Sequence, residues 1–380
     1  MIRILQVSDV HLGARLSGFG EHAAERREAV RVAFRALPLL ADRLDVQAVL
    51  LVGDVFDGQM PERADADLAR EVLRGLADGG RRGVFAIPGN HDRCSTSDSA
   101  WRTMPEEVQI FLEPRFGVPR SIGVGDTTLH VYGLAYDPVA EPNPLAGFRR
   151  TPAEGVHVVL LHAGMSDNPG WHGGHGLRTT SEEVAALDAD YVALGDYHAC
   201  RLPPAFAGGR ACYAGSFAAV RATETGPHGV VVVELEPGEL PVARLVPSNV
   251  PELVDMGEID VSDVASDLEA AERVGARMIE NPVASDNAQY PVVRLVGAPG
   301  VPLDGNRIRQ ALTERFGFAV VADATRFISS ARVRTLAGQR TIAGHVARIG
   351  LVRAEDCVDG GQREIAEHAL RLALRALEEA

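Results

Sequence analysis

Five short blocks of Asp, His and Asn recur through the first two hundred residues, each at the end of a run of strand-forming residues. Arg3–Val7 leads into Ser-Asp-Val-His-Leu-Gly, which carries Asp9 and His11. Ala48–Val52 leads into Gly-Asp-Val-Phe-Asp with Asp54 and Asp57, and Val84–Ile87 into Gly-Asn-His-Asp with Asn90, His91 and Asp92. His162 follows the run His157–Leu161, and Gly-Asp-Tyr-His, with Asp196 and His198, follows Tyr191–Leu194. In open α/β sheets ligands gather beyond the carboxyl ends of the strands, so strands laid side by side would bring these blocks to one crevice. Any one block alone reads as an ordinary turn or helix cap. The ordered set constrains the chain far more: blocks at 9, 54, 90, 162 and 198 lie 45, 36, 72 and 36 residues apart, and the first two gaps each accommodate a helical crossover.

The stretches between the blocks agree with a layered α/β fold. Ala23–Leu44 keeps helical spacing through Val30, Phe34, Leu37 and Leu40 despite Pro38, and Arg63–Ala77 presents Leu68, Val72, Leu73 and Leu76 on one face. Beyond about residue 126 helical patterns thin out, and further strands at Leu129–Gly133, Ala211–Ala214 and Gly229–Leu235 predict a mixed sheet. Five Pro and Gly residues between Pro237 and Pro251 mark a boundary near 240–252. After it come a helix over about Val264–Ile279, a strand at Pro291–Val296, a helix at Gly305–Phe316, a strand at Ala319–Ala322 and a last helix from Gln362, which is a small α/β domain.

Charge narrows the function classes. The 380 residues carry a formal charge of −14, the wrong sign for coating nucleic acid by bulk attraction. The sign reverses locally: over 305–353 nine Arg, among them Arg332 and Arg334, stand against only Glu314 and Asp323. All the strong bases are Arg, whose forked guanidinium suits phosphate. No apolar run approaches a membrane span, and the chain opens directly on a strand, so no signal peptide is expected. Four scattered Cys without CxxC spacing fit reduced thiols, and the expected compartment is the cytoplasm. Carboxylate, amide and imidazole donors together suit a pair of divalent ions, Mn²⁺ first, with Fe²⁺ or Mg²⁺ as alternatives.

The series Asp-x-His, Gly-Asp-x-x-Asp, Gly-Asn-His-Asp, His and Gly-x-x-His resembles the signature of the calcineurin-like metallophosphoesterases, over roughly residues 1–235. Within that superfamily the blocks look most like the DNA-repair exonucleases related to SbcD. The resemblance implies a four-layer α/β/β/α nuclease domain over 1–240 and a smaller α/β capping domain over 250–380. It also implies that Asp9, His11, Asp54 and His198 hold one ion, and that Asp54 bridges to a second held by Asn90, His162 and residue 196. Members of the nuclease branch usually have Gly-His-x-His where this chain has Gly-Asp-Tyr-His. Asp196 therefore either ligates the second ion or only orients a neighbouring ligand.

Hydrolysis by a metal-activated water then needs no covalent nucleophile. His91 is expected to donate to a phosphoryl oxygen or leaving group, with Asp92 holding its ring; Asp57 stays open between a site role and a cap of the next segment. The implied substrate is DNA, as ends or single strands, with Arg332 and Arg334 as phosphate contacts, an SbcC-like ATPase as partner and a homodimer as a further option. The competing readings are a small-molecule phosphodiesterase or phosphatase, favoured by the −14 charge and Asp196, and a non-catalytic scaffold. His172 and His175, between glycines and without Cys partners, read as an active-site loop rather than a zinc site.

Overall fold

Strand and helix alternate from the first residues, and the computed structural model follows that pattern. It describes residues 1–378 apart from 139–143, 168–175, 205–206, 283–288, 300, 318, 326–327, 329 and 358–359. The chain divides into two compact units, Met1–Glu252 and Leu253–Ala380.

The first unit opens with β1 (Ile2–Val7), α1 (Ala23–Arg35), α2 (Leu37–Arg43), β2 (Ala48–Val52), α3 (Arg63–Ala77), β3 (Gly83–Ile87) and β4 (Val108–Ile110). It continues with β5 (Arg120–Val124), β6 (Thr127–Leu134), β7 (Val156–Met165), β8 (Leu177–Thr179), α4 (Ser181–Ala185), β9 (Tyr191–Gly195), β10 (Ala211–Tyr213), β11 (Gly229–Leu235) and β12 (Val242–Pro247). One sheet has the order β12-β11-β1-β2-β3-β4, with β1 to β4 mutually parallel and β11 antiparallel to β1. The other runs β10-β9-β7-β6-β5, its four strands from β6 to β10 parallel, with the short β8 beside the end of β7.

Period-two alternation sorts the apolar residues into three layers of core. Ile4, Leu50, Val52 and Phe85 face Val158, Leu160, Tyr191 and Ala193 between the sheets. Leu5, Val7, Val49 and Leu51 point the other way, onto Val30 and Phe34 of α1, Leu37 of α2 and Leu68, Val72 and Leu76 of α3. On the far face Val159, Leu161, Val192 and Leu194 pack under Val184 of α4 with Leu145 and Phe148. The result is the four-layer α/β/β/α arrangement, its outermost layer thin because α4 is only five residues long. The helix read from Ala23 to Leu44 is in fact two: the chain bends at Ala36, and Pro38 falls in the first turn of α2, where a missing N–H costs nothing.

The second unit consists of β13 (Glu252–Asp260), α5 (Asp267–Glu280), β14 (Gln289–Val296), α6 (Gly305–Phe316), β15 (Val320–Asp323), α7 (Ser330–Ala337), α8 (Ile342–Glu355) and α9 (Gly360–Glu378). A three-stranded sheet β13-β14-β15 packs against α5 and α6 through Val274, Val293, Leu295 and Ile308. Helices α7, α8 and α9 share a separate core of Val333, Leu336, Ala347, Leu370 and Leu374. Leu370 and Leu374 are therefore core residues of this unit. No helix among the described residues is long and apolar enough to cross a membrane.

Candidate metal centre

Parallel pairing of β1, β2 and β3 places Asp9, Asp54 and Asn90 beyond adjacent strand ends, and β7 and β9 bring His162 and Asp196 to the same edge. The first two loops are zipped together. Asp9 N–H donates to the Gly53 carbonyl at 3.1 Å, His11 N–H to Asp54 at 3.0 Å and Leu12 N–H to Val55 at 2.9 Å. To turn their side chains into one point, Asp9, His11, Asp54 and Asp196 all adopt positive φ (51°, 51°, 52° and 88°). Such conformations cost of order 1–3 kcal/mol each and persist only where the surroundings over-determine them. The tight approach also explains two glycines. Gly53 has φ 84°, and a Cβ there would collide with the His162 ring; a Cβ on Gly89 would collide with the Asp54 carboxylate.

Three histidines in this crevice are oriented alike. His11 Nδ1 lies 3.1 Å from Asp57 Oδ1, His162 Nδ1 lies 2.8 Å from the Val52 carbonyl, and His198 Nδ1 lies 2.7 Å from Glu224 Oε1. Each ring thereby turns Nε2 towards Asp9 and Asp54. His11 Nε2 is 3.7 Å and His162 Nε2 3.4 Å from Asp54 Oδ2, and His198 Nε2 is 3.9 Å from Asp9 Oδ1. A carbonyl only accepts, so His162 Nδ1 carries the proton and donates it to Val52. Its Nε2 then faces nothing but oxygens: Asn90 Oδ1 at 2.9 Å, Asp54 Oδ2 at 3.4 Å and Asp196 Oδ1 at 3.8 Å. His11 Nε2 is buried with no hydrogen-bond partner at all. Lone pairs and carboxylates converging in a dry crevice call for a cation. Donor atoms of Asp9, His11 and His198, and of Asp9, Asp54 and His162, lie mutually within 4.8 Å, so the residues present fit divalent ions.

The electrostatics carry the same message. Burial works against ionisation of Asp54, yet the charge and hydrogen bond of His162, with His11 and His91, hold its carboxyl below the ordinary range. Burial would lower the His162 imidazole, but Asp54, Asp9 and Asp196 raise it. Burial pushes the Asp196 carboxyl up, and Asp9 and Asp54 add to the effect while His162 opposes it. Protons respond here to an excess of negative charge that a bound cation would neutralise.

The family model of the calcineurin-like phosphoesterases matches residues 2–200. The chain belongs to this family. Among curated relatives, the chain is 31% identical over 246 residues to the DNA double-strand break repair protein Mre11 of Haloferax volcanii, covering 64% of this chain and 52% of that protein. It is 28% identical over 331 residues to the Mre11 protein of Aeropyrum pernix, covering 81% and 76%. Against the SbcD component of the nuclease SbcCD of Bacillus subtilis the identity is 26% over 275 residues, covering 63% and 67%. The match thus spans about half the length of the Haloferax relative.

Other expected site residues fall differently. His91 stands at the open side of the phosphoesterase crevice, its side chain 45% exposed, with its N–H donating to Asp54 Oδ1 at 2.9 Å. The acid on its ring is Asp57, not Asp92. Asp92 is buried, and its oxygens accept the N–H groups of Val55 (2.8 Å), Phe56 (3.2 Å) and Gly89 (2.7 Å), tying the second block to the third. Asp92 is thus a brace for two loops, and the expectation that it holds the His91 ring is corrected. Arg332 and Arg334 lie exposed on α7 in the second unit. His172 and His175 lie outside the described residues. Glu224 has no counterpart among the residues expected from the sequence, since it stands alone in a stretch without strand or motif.

Proposed function

We propose that this chain is a two-metal phosphodiesterase that hydrolyses DNA. The observation that carries the metal reading is the common posture of His11, His162 and His198, each with Nδ1 on an oxygen and Nε2 aimed at Asp9 or Asp54. Metal-ligating histidines almost always donate their second ring N–H in this way. Asp9, His11, Asp54 and His198 would hold one ion, and Asp54, Asn90, His162 and Asp196 the other, with Mn²⁺ the favoured metal. When bound, such ions supply Lewis acidity to the phosphoryl oxygens and make a water molecule a usable nucleophile near neutral pH.

The chain's own residues do the rest. Asp54, anchored against His91 N–H, sets the spacing of the two donor sets. Of the imidazoles described in the crevice, His91 is the well exposed one, so it meets the substrate. The Asp57 hydrogen bond, opposed by partial burial and helped by the charge of Asp54, raises its imidazole to about 9. His91 is thereby placed to donate its Nε2 proton to a phosphoryl or leaving oxygen. Asp57 keeps the ring turned so that this nitrogen faces outward. The names of the Mre11 and SbcD relatives support DNA as substrate, and the two-part name of the SbcCD nuclease supports an SbcC-like partner.

The test is a substrate panel at fixed Mn²⁺: linear duplex, single-stranded DNA, closed circular DNA and a small model phosphodiester, with metal content measured on the same preparation. Cleavage of linear or single-stranded DNA well above the small ester is expected. Turnover confined to the small ester favours the small-molecule reading, which the −14 charge supports. Stoichiometric metal without turnover on any substrate leaves the scaffold.

A further inference from the structure

We infer that Glu224 is a positioning residue that sets the tautomer of His198 and, through it, the affinity of one of the two ion sites. This rests on the metal reading above and adds the device that makes His198 a ligand. Glu224 is a half-buried carboxylate with both oxygens engaged. Oε1 faces His198 Nδ1 at 2.7 Å, while Oε2 accepts the N–H groups of Val220 at 2.7 Å and Arg221 at 3.1 Å. A carboxylate can only accept, so Nδ1 carries a proton, and in the neutral ring that would ligate an ion Nε2, the nitrogen facing Asp9, is the one with the lone pair. Because two backbone donors hold Oε2, the carboxylate cannot rotate away from the ring.

The surrounding segment closes on the same loop. Ser216 N–H donates to the His198 carbonyl at 2.9 Å, Ser216 Oγ lies 2.9 Å from His228 Nδ1, and His228 Nε2 lies 3.2 Å from the Glu224 carbonyl. Phe217 N–H reaches the Asp9 carbonyl at 3.1 Å, so residues 215–228 tether both Asp9 and His198. Of the side chains in this segment, Glu224 is the one that hydrogen-bonds the His198 imidazole, which singles out a single residue to change.

Glu224→Gln separates positioning from support of the loop. The amide is the same size, and the Val220 and Arg221 N–H groups claim its single oxygen. The NH₂ group is then turned to His198, where it can only donate, so Nδ1 becomes the acceptor and the proton moves to Nε2, which can no longer ligate. A role confined to the loop predicts a silent change, because the two backbone bonds survive. The experiment titrates Mn²⁺ into the full-length wild type, Glu224→Gln and Glu224→Ala, counting bound ions by electron paramagnetic resonance of the free Mn²⁺. Thermal unfolding of the metal-free proteins is followed alongside. The expected result is one site weakened about 10–100-fold in both variants, the scale of a lost partner to a ligating histidine, with the other site kept. Glu224→Gln is expected to retain the wild-type unfolding midpoint. Wild-type affinity at both sites in Glu224→Gln overturns the inference; if that variant does not fold, Glu224→Ala is read in its place. A wild type that binds no Mn²⁺ sinks the two-metal reading together with this one, whereas a wild type with two ions and an indifferent Glu224→Gln sinks this one alone.

Discussion

The Asp57 carboxylate reaches the His91 ring, Oδ1 to Nδ1 at 3.5 Å, although the acid beside His91 in the chain is Asp92. The same oxygen lies 3.1 Å from His11 Nδ1, so one acid orients both a candidate ligand and the candidate proton donor. Exchanging the two acids in turn separates their roles. Asp57→Asn is expected to lower phosphodiester turnover by ~10- to 100-fold while leaving the fold intact. Asp92→Asn leaves a single oxygen for three buried N–H donors and is expected to cost about 1–3 kcal/mol of stability. Urea unfolding beside turnover on a model ester checks both; equal stability losses would contradict the division.

The assignment of Asp92 to His91 illustrates what one dimension hides. Neighbours in sequence are natural partners to propose, but the turn at Asn90 and His91 sends consecutive side chains in different directions, and Asp92 goes inward to the backbone. The five blocks were legible because a parallel sheet gathers strand ends whatever the loops do. Glu224 was not, because its role depends on residues 215–228 folding back over Asp9 and His198. Strands of three residues such as β4 and β8 carry too few positions to show a period, and α7 and α8 lay in an Arg-rich stretch read only for its charge.

Asp54→Asn and His91→Ala are expected to part cleanly. Asp54 faces His11 and His162 at 3.7 and 3.4 Å, so removing its charge should empty both ion sites and end activity. His91→Ala should keep two ions and reduce turnover by ~10²-fold or more, the scale of a lost proton donor or charge stabiliser. Metal analysis after gel filtration decides; loss of an ion from His91→Ala would make His91 a ligand.

Asp196 Oδ1 lies 3.8 Å from His162 Nε2. If it ligates the second ion, Asp196→His should lower the Mn²⁺ concentration for half-maximal rate, because imidazole suits a transition metal better than another carboxylate in an already acidic site. An unchanged titration curve would place Asp196 outside the coordination sphere.

His157 offers a stability test away from the ions. It is fully buried, with Nε2 2.9 Å from the Ala153 carbonyl and Nδ1 2.9 Å from the Tyr132 hydroxyl. Burial holds its imidazole below the ordinary value near 6.5. On acidification the unfolded chain therefore takes up this proton first. The contribution of His157 to stability is complete above about pH 6.5 and falls as pH drops through the interval down to its folded value. The urea midpoint should decline between pH 7.5 and 5.5 more in the wild type than in His157→Gln. Parallel declines would show that His157 titrates alike in the folded and unfolded states.

The arginines of the second unit supply the sharpest check on DNA as substrate. Arg332 and Arg334 are two residues apart on α7, about 200° around the helix, and cannot present one common face to a phosphate backbone. Arg334 lines a groove with Arg363, Arg371, Glu355 and Glu367, three guanidinium groups against two carboxylates. A strand that follows one face of α7 should therefore engage one of them and leave the other. One of Arg332→Ala and Arg334→Ala is expected to weaken DNA binding and to flatten the plot of log affinity against log salt by about 0.7, one phosphate contact on a single strand, while the other changes the slope little. Neither should alter metal content. Fluorescence anisotropy of a labelled single strand across a salt series measures both slopes. If neither substitution moves them, the local excess of seven positive charges over 305–353 is a solvated face, and DNA is held elsewhere in the chain.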